Sequence, residues 1–223
     1  MSPGAAEALV VDAPGEETEL VIEGVAVRLW RAVGLERFVD ADTLLRADDP
    51  PEPPYWMHLW PGALAAARRV AGAAAVRPGV RVVGLGCGLA LPALVAARRG
   101  ARVVASDRLA APLRFACRSA AANRCALTAV QMDWAAPALR GGFDVCVGAD
   151  VGYDRSAEPS LVAALARLVA PGGVVWLADS VNTARDKLAQ RLAAAGFGVA
   201  VSREREWEDG RPVWVRLIEA RRA

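Results

Sequence analysis

The sequence predicts an α/β fold: a doubly wound, parallel sheet that closes on an antiparallel hairpin. Three observations predict it. Apolar runs at Val80–Leu85, Arg102–Ala105, Leu127–Gln131, Phe143–Gly148 and Val174–Ala178 carry β-branched residues. They alternate with helical segments at Ala90–Arg99, Pro112–Ala122, Ser156–Val169 and Val181–Ala195. Near-continuous apolar strands separated by helices mean a parallel sheet covered on both faces. The C-terminus leaves that rhythm, because Gly198–Ser202 and Pro212–Ile218 flank the turn residues Glu208-Asp209-Gly210-Arg211. Finally, a glycine-rich turn, Gly84-Leu85-Gly86-Cys87-Gly88-Leu89-Ala90, joins the first core strand to its helix.

The elements before this core are less regular. Residues 1–18 are small, polar and punctuated by Pro and Gly, and read as a flexible tail. Glu19–Ile22 and Val25–Leu29 alternate around Glu23-Gly24 as a short hairpin. Leu35–Arg46 reads as a helix that stops before the proline-stiffened linker Asp48–Pro54. Pro61 opens the next helix, where a missing N–H does no harm. The expected division is a tail over 1–18, an N-terminal hairpin and helix extension over 19–61, and a core domain over 62–223.

Composition narrows the function. A chain of 223 residues, 54% hydrophobic, builds one α/β domain with a sizeable core. Its 27 basic residues are offset by 25 acidic ones, and Arg68-Arg69, Arg98-Arg99 and Arg221-Arg222 are isolated pairs. A nucleic-acid partner needs a basic face or stripe and is not expected. Four cysteines without Cys-x-x-Cys spacing and a lone His58 give no metal site. The opening Met1–Glu7 lacks a basic region followed by an apolar one, so no signal peptide is expected. Arg68 and Arg69 interrupt the Ala-rich run Gly62–Val76, which therefore cannot span a bilayer. A cytoplasmic monomer is the expectation.

The glycine turn selects a ligand. A dinucleotide fingerprint asks for Gly-x-Gly-x-x-Gly or Ala, but the third position falls on Leu91 from Gly86 or on Leu89 from Gly84. A Gly-x-Gly-x-small reading fits instead, through Gly86, Gly88 and Ala90, as in S-adenosylmethionine sites. Asp107 ends the second core strand about 20 residues later, the offset of a ribose-binding carboxylate. Cys87, inside the turn, and Arg108, beside the carboxylate, complete this candidate site.

Three motifs then carry a family resemblance: Pro54-Tyr55-Trp56-Met57-His58-Leu59-Trp60-Pro61-Gly62, the glycine turn through Pro92, and Gly148-Ala149-Asp150-Val151-Gly152-Tyr153. Over roughly residues 20–220 the chain resembles the class I, seven-β-strand S-adenosylmethionine-dependent methyltransferases. More narrowly, it is similar to the protein-lysine methyltransferases that include the electron-transfer-flavoprotein β-subunit lysine methyltransferases and bacterial nicotinamide N-methyltransferase-like proteins. The resemblance implies a Rossmann-like sheet of seven strands, the last antiparallel, and S-adenosylmethionine as cofactor. It implies that Asp133 accepts from the adenine amino group and that Trp134 packs on the purine. Trp60 and Ala149 would also line the cofactor. Two positions depart from the pattern: Gly84 stands where the superfamily carries an acid, and Ala90 replaces the third glycine.

Asp150 and Tyr153 are the candidate catalytic residues, beyond the carboxyl end of a strand where open α/β sheets bind ligands. Methyl transfer from a sulfonium is an in-line displacement that asks for alignment and a neutral nucleophile. A lysine amine, with a pKa of about 10.4 in water, is brought toward neutrality by desolvation. Asp150 would orient the incoming ammonium, and Tyr153 would wall its pocket and supply a hydrogen bond. Trp56 and His58 read as packing residues as readily as functional ones. The expected function is N-methylation of a protein lysine, with a small-molecule amine as the alternative acceptor. From another class, a non-catalytic cofactor-binding module also stays open.

Overall fold

The computed structural model describes residues 15–33, 54–180 and 186–223. The expected helix Leu35–Arg46, most of the proline linker and the start of the helix expected at Val181 lie outside the described residues. A first hairpin pairs β1 (Gly15–Ile22) with β2 (Val25–Ala32). Gly15 already pairs with Ala32, so the stretch 15–18, expected in the tail, belongs to the strand.

A turn of 3-10 helix at Tyr55–Met57 leads into α1 (Pro61–Gly72). Then follow β3 (Arg81–Leu85), α2 (Leu91–Arg98), β4 (Arg102–Asp107), α3 (Ala110–Ala122), β5 (Leu127–Gln131), β6 (Phe143–Ala149) and α4 (Glu158–Leu168). The chain closes with β7 (Val169–Ser180), α5 (Asp186–Ala194), β8 (Phe197–Glu208) and β9 (Arg211–Arg222). These strands form a seven-stranded sheet in the order β5-β4-β3-β6-β7-β9-β8. Strands β3 to β7 are parallel, and β9 runs against both of its neighbours, as the sequence predicts.

Two apolar layers sandwich the sheet. One joins α1, α2 and α3 to Val82, Val145 and Trp176, and the other joins α4 and α5 to Val83, Cys146 and Leu177. Central strands buried on both faces explain the unbroken apolar runs. From β3 the chain proceeds through β4 to β5 on one side, then returns to place β6 on the other. The ends of β3 and β6 therefore lie side by side, with Leu85 opposite Gly148, at the switch point where such sheets hold ligands.

The N-terminal hairpin docks on α3 through polar groups. Asn123 Oδ1 accepts from the Arg28 N–H at 2.8 Å, its Nδ2 donates to the Arg28 carbonyl at 2.6 Å, and Ser119 Oγ accepts from the Trp30 N–H at 2.9 Å.

The C-terminal hairpin is much longer than expected, twelve residues in each strand. The sequence reading stops at Ser202 because Arg203-Glu204-Arg205-Glu206 looks polar, yet the ladder continues to the pair Glu208 and Arg211. Asp209 (φ 48°) and Gly210 (φ 73°) make the tight turn. Beyond the pair Ser180 and Val215, this hairpin projects past the end of β7, and β8 forms one edge of the sheet. Among the described residues no helix is long and apolar enough to cross a membrane.

Candidate cofactor and acceptor site

The turn after β3 takes three left-handed conformations, at Gly86 (φ 57°), Gly88 (φ 49°) and Ala90 (φ 61°). Ala90 adopts it with a Cβ, at a cost of about 1 kcal/mol. It caps α2 instead of beginning it, and its carbonyl accepts from the Leu94 N–H at 2.9 Å. The turn is stitched to β4. The Cys87 N–H donates to the Ser106 carbonyl at 2.9 Å and the Gly88 N–H to Asp107 Oδ2 at 3.1 Å. Asp107 Oδ1 accepts from the Leu109 N–H at 3.1 Å. Burial pushes the Asp107 carboxyl above its usual range, against the pull of the Leu109 and Gly88 N–H groups and the Arg108 charge.

The missing side chain of Gly86 lets Val151 and Trp134 close on the turn. A Cβ there would stand 2.9 Å from Val151 Cγ1 and 3.1 Å from Trp134 Cζ2. Trp134 thus lies on the turn, half-buried. Its neighbour Asp133 is exposed, with Oδ1 accepting from the Ala135 N–H at 2.8 Å. Trp56 covers Gly88 with its backbone and packs its ring at 5.2 Å on Phe115, which makes it a packing residue. The Cys87 thiol is pushed well above its ordinary value by burial and by the Asp107 charge, so it stays protonated. Arg108 is exposed, and its carbonyl accepts from Gln131 Nε2 at 2.9 Å. A left-handed glycine turn and a carboxylate at the next strand end fit an adenosine-type ligand.

Asp150 follows the half-buried Ala149 and is itself left-handed (φ 50°). Its Oδ1 accepts from the Ser180 N–H and hydroxyl, both at 2.7 Å. Its Oδ2 sits against the start of α1, where a Cβ on Gly62 would overlap it. The carboxylate the sequence singles out therefore also joins β7 to α1.

Tyr153, on the same loop, begins a row of aromatic rings. Its centroid is 6.5 Å from that of Tyr55, Tyr55 is 6.2 Å from Trp60, and Trp60 is 4.6 Å from His58, all edge-on. Trp60 Nε1 donates to the Tyr55 carbonyl at 2.8 Å. Glu208, at the hairpin tip, pairs with His58 Nε2 at 3.0 Å. Two of the sequence motifs thus meet in space through Tyr55. Sequence reasoning missed Asp179, Ser180 and Glu208, and met Gly62 only as the last residue of the first motif and the first of the Ala-rich run. Only Asp179 had a local signal, a carboxylate at the end of an apolar strand like Asp107. Among the described residues no group of His, Cys, Asp and Glu side chains is arranged to hold a metal.

Residues 83–177 match a family model described as a methyltransferase domain. This stretch carries the glycine turn, Asp107, Asp133, Trp134 and Asp150. A T. thermophilus 16S rRNA N2 methyltransferase, solved with AdoMet and guanosine, superposes with a TM-score of 0.62 at 21% identity over 94% of this chain and 51% of that one. The chain thus spans about half the length of that protein. Magnesium protoporphyrin IX methyltransferase from Synechocystis PCC 6803, with SAM bound, gives 0.57 at 21% identity over 71% and 76%. Precorrin-6y C5,15-methyltransferase from Geobacter metallireducens GS-15 gives 0.58 at 17% over 72% and 87%. No curated protein matches the sequence. The fold is the Rossmann-like one these methyltransferases share, a seven-stranded sheet closed by an antiparallel C-terminal hairpin, and residues 83–177 are similar to a methyltransferase domain.

Proposed function

We propose that the chain is an S-adenosylmethionine-dependent N-methyltransferase whose acceptor is a lysine amine of a protein partner. The observation that carries this reading is the aromatic row running from the Asp150 loop. Tyr153 and Tyr55 are 43% and 46% exposed, an open wall that suits a side chain presented by a large partner. Gly86, Cys87, Gly88, Ala90, Asp107, Arg108, Asp133 and Trp134 would hold the nucleoside, with Trp60 and Ala149 toward the reacting end. When bound, S-adenosylmethionine supplies an electrophilic methyl on a sulfonium. Aromatic faces attract an ammonium and exclude water from it, which favours loss of its proton. Asp150 aligns the amine for in-line attack, and Tyr153 donates or accepts one hydrogen bond at its edge.

Incubation of the chain with labelled S-adenosylmethionine and methyl-depleted lysate tests the reading. Label is expected in protein at lysine, whereas label confined to small molecules would assign a metabolite amine as acceptor.

Two binding outcomes belong to the cofactor half. Calorimetry is expected to show S-adenosylmethionine and its demethylated product binding while NAD does not, because the third glycine of a dinucleotide turn is a leucine in either register. Asp107→Ala is expected to weaken S-adenosylmethionine binding by ~1–3 kcal/mol, the scale of hydrogen bonds to a charged group. Unchanged affinity in a folded variant would mean that the ribose is held elsewhere.

A further inference from the structure

Three successive residues at the end of β7 grip the loop that carries Asp150 and Tyr153. We propose that Asp179 and Ser180 clamp this loop from the two faces of the sheet, making Asp179 a positioning residue for the methyl acceptor. The inference rests on that loop being the acceptor side of the site.

The geometry is two-sided. Val175 and Leu177 pack on the α4–α5 layer while Trp176 and Ala178 pack on the α1–α3 layer, so strand alternation sends Asp179 and Ser180 to opposite faces. On the α1 side, Ser180 gives both its N–H and its hydroxyl to Asp150 Oδ1. Between them, the Ala178 carbonyl accepts from the Asp150 N–H at 2.8 Å. On the other side, Asp179 Oδ1 accepts from the Gly152 N–H at 3.1 Å. A Cβ on Gly152 would stand only 3.2 Å from Asp179 Oδ2, so the loop backbone rests on the carboxylate.

Asp179 is fully buried. Two charged groups face it: Asp150 from the loop, and Arg216 on β9, whose Nη2 is 3.9 Å from Oδ2. Arg203, paired with Arg216 on β8, is the next charge along that face. Burial first, and then the Asp150 charge, push the Asp179 carboxyl up from 3.8 to about 6, against the pull of the Gly152 N–H and Arg216. The folded chain therefore holds this proton more tightly than the unfolded one. The resulting stability is complete below pH 3.8 and is lost as pH rises through about 6. At neutral pH the ionised clamp is kept at a cost in stability, as groups placed for function often are.

Amide exchange at Gly152 in the unliganded full chain, followed by NMR and corrected for intrinsic rates, tests the clamp without any acceptor. At about pH 7.5, Asp179→Ala is expected to exchange about tenfold faster at Gly152 than wild type, because the acceptor of that N–H is gone. In the labelled-lysate assay, Asp179→Ala is expected to lower turnover about tenfold and leave the KM for S-adenosylmethionine within about twofold, and Asp179→Asn, whose amide oxygen still accepts from the Gly152 N–H, to lose less. Wild-type exchange at Gly152 in a folded Asp179→Ala chain, or wild-type turnover in that variant, would overturn the proposal. If the variant fails to fold, the wild-type chain still decides the question: a clamped Gly152 amide exchanges at least about tenfold below its intrinsic rate, and exchange at the intrinsic rate would overturn the clamp. The expected exchange pattern in a wild-type chain that transfers no label would support the clamp and overturn the acceptor reading instead.

Discussion

Asp150→Asn is expected to lower methyl transfer on the order of 100-fold while S-adenosylmethionine affinity stays within about twofold, the lower range for a positioned polar or acid–base group. The substitution keeps the shape of the side chain, and an amide oxygen can still accept from the Ser180 N–H and hydroxyl that now hold Oδ1. What disappears is the negative charge that would draw in and orient an ammonium. Tyr153→Phe should cost less, because the ring still stands against Tyr55 and only one hydroxyl is removed. Labelled transfer and calorimetry on the same preparations separate the two effects. If Asp150→Asn lost cofactor binding but turned over normally at saturating cofactor, Asp150 would belong to the methionine end of the site. It would there replace the acid absent at Gly84.

Gly62→Ala is expected to lower Tm by about 3–8 °C, against the direction that helix propensity gives. In an open helix the change would gain about 1 kcal/mol. Here the new methyl would overlap Asp150 Oδ2 and lie 2.5 Å from the Ala178 carbonyl, which belongs to the backbone of a buried strand. Overpacking of this kind costs ~1–3 kcal/mol, occasionally more, and a chain of this size loses ~2–4 °C per kcal/mol. Any relief must come from moving Asp150 or the start of α1, so turnover should fall together with Tm. Thermal unfolding checks this directly, and a rise in Tm would mean that α1 can slide away from β7 without penalty.

Much of the glycine-turn side of the candidate site is legible in the sequence, because it depends on neighbours along the chain. Left-handed backbone asks for glycine or another small residue, and Gly86, Gly88 and Ala90 supply it within five positions. Asp107 is found by its offset from them. The alternation of apolar strands and helices likewise predicts the parallel sheet, since burial on both faces leaves no polar side to show. The proposed acceptor side is less legible because its contacts join distant segments. His58 and Glu208 are 150 positions apart, and Asp150 meets Ser180 across 30. Asp179 reads only as the end of a strand until β9 brings Arg216 opposite it. Gly62 looks like a weak helix residue until Asp150 is seen to occupy the space its side chain would take.

The edge strand β8 has a consequence for how copies of the chain meet. An edge of twelve residues offers its open N–H and C=O groups to any strand that drifts past, the usual beginning of aggregation. Here Arg203, Glu204 and Arg205 place charges of both signs along that edge, with Arg203 and Arg205 exposed. An incoming strand would have to strip water from those charges to align with the edge, a desolvation penalty its new hydrogen bonds would not offset. The same run of alternating charge that hides β8 from a hydrophobic reading guards the folded sheet against growing by one more strand.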